Sequence, residues 1–277
     1  VVIEFDAELP DGGVLHGYDT GGDRPAVLWH HGTPNIGSPP APLFAAADRL
    51  GLRWLSYDRP GYGGSPRRPG RRLADAAGYA ATVADARDVA RFAVMGHSGG
   101  ASHALACAAL LPDRVTAVVA AASLAPYDAE GLDWYAGMIA SGVASLRAAA
   151  AGRDAKERHE ASGAEYDPEF TEADEAALAG AWSWFGSVVG PAQQGDPGGL
   201  VDDDLAYVSP WGVAPARIGA PLLLLHGDRD GIAPVAHAEW LAGHCPTAAL
   251  RRSPRDGHIS VLRHAESALE WVRAAVG

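Results

Sequence analysis

Phe92-Ala93-Val94-Met95-Gly96-His97-Ser98-Gly99-Gly100 is the stretch on which the fold turns. A short apolar run breaks at a serine set between glycines, the pattern of a strand, a sharp turn and the first turn of a helix. A serine at such a turn takes an unfavourable backbone angle, and strand and helix pass so close that its near neighbours must be small. Gly96 and Gly100 meet that need. The turn lifts the Ser98 hydroxyl clear of a sheet and aims the Gly99 N–H into the same space, which makes Ser98 the candidate nucleophile. Five residues of this kind recur by chance in ordinary turns, so the flanking chain has to carry the decision.

Upstream, residues 1–8 alternate apolar and polar, Pro10-Asp11-Gly12-Gly13 supplies turn chemistry, and residues 14–19 resume an extended pattern, an opening hairpin. Ala26-Val27-Leu28-Trp29-His30 is a nearly continuous apolar run, expected of a strand covered on both faces. Residues 42–50 follow as a helix and residues 52–57 as a further strand. Residues 73–86 form an Ala-rich helix whose turn into the Phe92 strand lacks a glycine, leaving Asp88 to take the left-handed conformation. Downstream, residues 99–111 are helical and residues 115–121 make the next buried strand. Such alternation specifies a parallel sheet with helices on both faces.

The alternation stops for about a hundred residues, roughly half a domain. Leu132, Tyr135, Ile139, Val143 and Leu146 recur at helical spacing, as do Leu178, Trp182, Phe185 and Val189, so two amphipathic helices are expected here. Between them residues 153–160 are charged and read as a solvated segment. Residues 191–199 read as a flexible Gly/Pro-rich loop, and Asp202-Asp203-Asp204 as the start of a short helix. The sheet resumes at Pro221-Leu222-Leu223-Leu224-Leu225-His226. A helix over residues 234–243, an edge-like strand at residues 248–252 and an amphipathic helix over residues 260–276 close the chain.

Composition narrows the function. With 277 residues and 48% hydrophobic content, the chain can bury a large core. A net charge of −12 disfavours phosphate backbones and anionic membranes as partners. Cys107 and Cys245 lack metal-ligand spacing and are expected to be free thiols. No apolar run approaches the ~20 residues of a membrane span. A cytoplasmic protein without metal or cofactor, monomeric or homodimeric, is the expectation; the chain opens at Val1, which leaves room for a trimmed leader.

In an open parallel sheet, reactive groups gather at the carboxyl ends of the strands. Ser98 ends one strand, His31-Gly32-Thr33 another; Asp228 and Asp230 follow a third, and His258 follows the last, with His264 further on. A serine hydroxyl needs a base to take its proton, and an imidazole base needs an acid to fix its tautomer and stabilise its cation. His31 and His97, at strand-to-loop turns, read as backbone-bonding residues. His30, His103, His226 and His237 read as structural.

Together Gly96-His97-Ser98-Gly99-Gly100, His31-Gly32-Thr33-Pro34, Asp58-Arg59-Pro60-Gly61-Tyr62-Gly63-Gly64-Ser65, His226-Gly227-Asp228-Arg229-Asp230 and Asp256-Gly257-His258 resemble the α/β-hydrolase fold family, in its cap-bearing, esterase-like and epoxide-hydrolase-like branch. The resemblance implies an α/β core, residues 1–123 and 211–277, with a helical cap over residues 124–210 between the sixth and seventh strands. It implies a triad of Ser98, Asp230 and His258, with Asp230 preferred to Asp228 by the family's spacing. Backbone N–H groups of Thr33 and Gly99 would form the oxyanion hole, and Asp58 and Arg59 would tie loops together beside it.

The expected activity is hydrolysis of a small, mostly apolar ester or related acyl substrate through an acyl-enzyme. Trp134, Tyr135, Met138, Trp182, Trp184 and Phe185 are the candidates for lining a pocket under the cap. A serine at position 98 argues against the carboxylate-nucleophile chemistry of dehalogenases and epoxide hydrolases. A proline-iminopeptidase-like aminopeptidase stays open, with Asp128, Glu130, Asp133 or Asp202 to Asp204 binding the amine. So do a carbon–carbon bond hydrolase, a cofactor-free perhydrolase and a non-catalytic ligand-binding protein on the same fold.

Overall fold

The computed structural model describes residues 1–276. Eight strands form one sheet: β1 (Ile3–Glu8), β2 (Val14–Asp19), β3 (Ala26–His30), β4 (Arg53–Tyr57), β5 (Phe92–His97), β6 (Val115–Ala121), β7 (Leu222–Gly227) and β8 (Ala248–Ser253). Their spatial order is β1-β2-β4-β3-β5-β6-β7-β8, antiparallel only where β2 meets β1 and β4. The remaining pairs are parallel and need crossovers. These are α1 (Phe44–Leu50), α2 (Asp75–Asp85), α3 (Gly99–Leu110), a longer helical segment between β6 and β7, and α9 (Val235–His244), with α10 (Ala265–Val276) closing the chain.

The central strands are buried throughout because both faces are covered, and side-chain alternation divides them between two cores. Leu28, Val94, Leu222 and Leu224 face the core under α2, α3 and α9. Val27, Trp29, Met95, Leu223 and Leu225 face the one under α1 and α10. β8 is the exposed edge strand its sequence suggested. Asp88 takes the left-handed conformation expected of it, at φ 54°.

Between β6 and β7 lie five helices: α4 (Ala140–Ala150), α5 (Arg153–Ala161), α6 (Glu172–Ala179), α7 (Phe185–Gln193) and α8 (Gly198–Tyr207). The insertion stands where the sequence placed it, but its interior differs. The helix expected from Leu132 starts only at Ala140. Residues 132–139 are turns around Gly137 at φ 84°, and the Ile139 N–H bonds the Gly231 carbonyl at 2.7 Å instead of a helical partner. The second expected helix is two, interrupted by the turns at residues 180–184. The segment read as solvated is α5, and its Lys156 is fully buried. Part of the segment read as a flexible loop continues α7, which runs through Pro191. Asp202, Asp203 and Asp204 do not start a helix; they lie inside α8, buried.

Candidate active site

Ser98 sits between β5 and α3 with φ 58° and ψ −133°, a conformation that side chains rarely adopt. The surrounding backbone holds it there: its N–H donates to the Ala121 carbonyl at 2.9 Å, and its carbonyl accepts from Ala101 at 2.9 Å. A Cβ on Gly96 would collide with the Gly100 carbonyl, and one on Gly100 with the carbonyls of His30 and His31. Both glycines are therefore dictated by the approach of α3 to β3 and β5. Among the described residues no acceptor takes the N–H of Thr33 or of Gly99.

Asp230, in the loop after β7, and His258, in the loop after β8, meet at 2.8 Å between Oδ2 and Nδ1. The other carboxylate oxygen accepts from the N–H groups of Ile232 (2.9 Å) and Ala233 (2.8 Å). Burial pushes the Asp230 carboxyl upward, but His258, His226 and the Ala233 N–H outweigh it and hold it below the ordinary carboxylate value. Asp230 is thus an ionised acceptor that leaves Nε2 of His258 as the nitrogen free for chemistry. Among the described residues the Ser98 hydroxyl has no hydrogen-bond partner, and the His258 ring bonds Asp230 instead. Catalytic contacts of this kind commonly tighten only when substrate is bound.

The rival residues are engaged elsewhere. Asp228 pairs with Arg252 near the surface at 2.8 Å, and His264 with Asp256 at 3.2 Å. His97 donates from Nε2 to the His258 carbonyl at 2.8 Å, and burial lowers its pKa to about 3, so it stays a neutral donor. His31 accepts the Arg59 N–H at 3.0 Å.

The loop carrying Thr33 is held from below by a buried ionic cluster. Arg59 donates to the carbonyls of His31 and Gly32, to Thr33 Oγ1, and through two nitrogens to Asp203 at 3.2 and 2.7 Å. Arg71 reaches the same carboxylate at 2.5 Å, Tyr62 at 2.9 Å and the Thr33 hydroxyl at 2.6 Å. Burial would raise the Asp203 carboxyl, yet the two guanidinium groups keep it well below the usual range. Since the Thr33 proton goes to that carboxylate, Tyr207 donates its own to Thr33 Oγ1, at 2.7 Å. The Tyr207 hydroxyl packs against Gly99, where any Cβ would strike it.

A cavity of about 410 Å³ opens over Ser98, Thr33 and Gly99. Leu124, Leu146 and Ile232 give it apolar wall; Glu160, Glu165, Asp196 and Asp204 give it acidic wall. Lys156 neutralises part of that charge, bonding Glu160 and Asp204 at 2.6 Å each. None of the six residues put forward as pocket lining reaches it. Trp134 donates to the Ala125 carbonyl and packs on His237, while Tyr135 bonds Tyr127. Met138 packs against the first core, and Trp182, Trp184 and Phe185 form an aromatic cluster on the second, reaching Trp29. They fasten the insertion to the sheet. Bulky apolar side chains suit a core as well as a cavity, and the helical spacing of Tyr135, Trp182 and Phe185 marks a buried face without telling one from the other. Of the acids offered for an amine, Asp128, Glu130 and Asp133 are exposed and away from the cavity. Asp202 pairs with Arg67 and Arg153, and of the run only Asp204 reaches the cavity wall.

A family model described as alpha/beta hydrolase fold matches residues 25–265. The chain belongs to the alpha/beta hydrolase fold family. Among relatives of this chain, an uncharacterised protein of Mycobacterium tuberculosis (strain H37Rv) is 37% identical over 116 residues, 40% of this chain and 41% of that one. The pimeloyl-[acyl-carrier protein] methyl ester esterase of Aromatoleum aromaticum is 41% identical over 56 residues, 20% and 22% of the two chains. The matched stretch thus spans less than half the length of these curated relatives. Solved structures match over nearly the whole chain. The enol-lactonase from Burkholderia xenovorans LB400 superposes with a TM-score of 0.73 at 22% identity, covering 98% and 99% of the two chains. An esterase from Thermogutta terrifontis gives 0.68 at 20%, covering 99% of each. At such identities the likeness speaks for the fold. No helix of the described residues is long and apolar enough to cross a membrane.

Proposed function

We propose that this hydrolase cleaves a small, mostly apolar ester or related acyl substrate through an acyl-enzyme on Ser98. The observation that carries the proposal is the strained Ser98 turn, exposed to a cavity, with the Asp230–His258 pair joined at 2.8 Å in the loops that follow β7 and β8. In this mechanism His258 Nε2 takes the Ser98 proton as Oγ attacks the acyl carbon. Asp230 holds the tautomer and stabilises the imidazolium, and the unengaged N–H groups of Thr33 and Gly99 receive the oxyanion. His258 then protonates the leaving group, and a water activated by the same imidazole releases the acid. Residues 124–210 act as the cap that closes the cavity over the core formed by residues 1–123 and 211–277.

A fluorophosphonate probe tests the mechanism: covalent labelling of Ser98, abolished in Ser98→Ala, is the expected result. A folded protein that resists the probe, or a Ser98→Ala variant that still turns over short-chain esters, would refute it. Serine activation alone contributes a factor of roughly 10⁴ or more in such systems.

The acidic wall supports a second reading, an acyl substrate bearing a cationic amine. Glu160, Glu165, Asp196 and Asp204 line the cavity, and Lys156, the cation that pairs with two of them, is itself fully buried. Turnover of amino-acid arylamides against that of p-nitrophenyl acyl esters separates the two; the arrangement disfavours anionic acyl groups in either case.

A further inference from the structure

His258 is held by more than Asp230, and one of the holds comes from the insertion. Asp174, at the third position of α6, is only 2% exposed and divides its carboxylate between two tasks. Oδ2 completes a capping box at the head of α6, accepting from the Thr171 N–H (3.1 Å) and hydroxyl (2.8 Å). Oδ1 crosses to the core and accepts three donors from the residues immediately after His258: the N–H of Ile259 at 2.9 Å, the N–H of Ser260 at 2.7 Å and the Ser260 hydroxyl at 2.8 Å. Burial would raise this carboxyl, but the backbone donors at Ser260 and Ile259 with the hydroxyls of Thr171 and Ser260 prevail, and it is held below its ordinary value.

The same contact explains a residue that the sequence could mark only as a loop glycine. A Cβ on Gly257 would overlap the Asp174 carboxylate, so the Asp-Gly-His segment needs its glycine because a carboxylate 83 positions upstream occupies the space. Ser260 Oγ in turn accepts the Gly257 N–H at 2.8 Å, closing the loop on itself around His258. Asp230 fixes the ring, His97 fixes the carbonyl, and Asp174 fixes the following two N–H groups. Of these three, Asp174 alone belongs to the insertion between β6 and β7.

We propose that Asp174 is a positioning residue for His258: the insertion, besides enclosing the cavity, sets the placement of the base through this carboxylate. The inference rests on His258 being the base proposed above. Without Oδ1, three donors are left to compete for water in a nearly closed space, and the loop relaxes. Displacing a general base by about 1 Å can cost on the order of a hundredfold in rate while leaving substrate affinity alone.

The test compares wild type, Asp174→Ala, Asp174→Asn and Thr171→Ala, using p-nitrophenyl butyrate for kcat and KM and a fluorophosphonate for the rate of Ser98 labelling. Asp174→Ala should lose about a hundredfold in kcat and in labelling rate, with KM within about twofold. Asp174→Asn keeps an oxygen for Ile259 and Ser260 and should recover roughly tenfold of that loss; it also serves if the alanine variant fails to fold. Thr171→Ala removes the cap at the other oxygen and weakens α6 without touching the His258 loop, so its kcat should stay near wild type. A folded Asp174 variant with wild-type kcat, or a Thr171→Ala variant as slow as Asp174→Ala, overturns the inference. If wild type itself does not label, the serine mechanism falls, and this inference with it.

Discussion

Acid should destabilise this protein above the ordinary carboxylate range, because several histidines are buried in their neutral form. Burial lowers His30 and His97 to about 3 and His237 to about 4 from the ordinary 6.5. His30 is the plainest case: neither ring nitrogen has a partner, and the ring packs edge-on against Tyr57 at 5.9 Å. A histidine with a folded pKa below its unfolded one binds protons more readily when unfolded. Its stability is intact above the unfolded value and drains away as pH falls toward the folded one. At about pH 5 each such residue costs about 2 kcal/mol, and three cost about 6 kcal/mol. That is comparable with the whole stability of an ordinary domain, about 5–15 kcal/mol. His31, His103 and His226 are lowered too and act with the same sign. Asp58 and Asp204, pushed up by burial, oppose the trend, whereas Asp203 and Asp230 lose their contribution only below the ordinary carboxylate value. Urea denaturation across this range should show a midpoint falling steeply below about pH 6.5. His30→Phe isolates one share: its stability relative to wild type should improve by about 2 kcal/mol between about pH 7.5 and about pH 5. A difference between the two proteins that does not change with pH would refute the reasoning.

Asp203→Ala should cost about 3–5 kcal/mol, because it leaves the buried guanidinium groups of Arg59 and Arg71 without a counter-charge; chemical denaturation measures it, and a loss under about 1 kcal/mol would contradict the cluster's role. In the same variant Thr33 loses the acceptor that orders its side chain, so turnover of short esters should fall in whatever fraction remains folded. Cys107 and Cys245 are buried and free, their thiols pushed up to about 12, so iodoacetamide should modify neither in the native protein near neutral pH and both after unfolding.

Much of the candidate site was legible in the chain because its members lie at strand ends that the chain marks locally. Ser98 sits in a turn that only small neighbours permit, and Asp230 and His258 lie in loops closing strands whose apolar runs are unmistakable. The pairing of Asp230 in preference to Asp228 was not local, and came from a family spacing; the structure joins Asp230 to His258 and sends Asp228 to Arg252. The insertion was the least legible. Its apolar stripes marked Trp182 and Phe185 as buried but gave no sign that they pack on the core and not on the cavity. The acidic run Asp202-Asp203-Asp204 has the composition of a solvated helix start, and nothing nearby in sequence announces its partners Arg59, Arg67, Arg71, Arg153 and Lys156.

By itself the sequence determined the alternation of strand and helix, the place of the insertion and the turn that presents Ser98, since each follows from periodicity and backbone sterics over a few residues. Tertiary structure alone decided which buried carboxylates are anchors and which face the cavity. A charge in the interior is stable only where its partners converge, and here they come from segments up to about 144 positions apart in the chain. Asp203 beneath Thr33 and Asp174 behind His258 are the result: two acids of the insertion bound into the loops that surround Ser98.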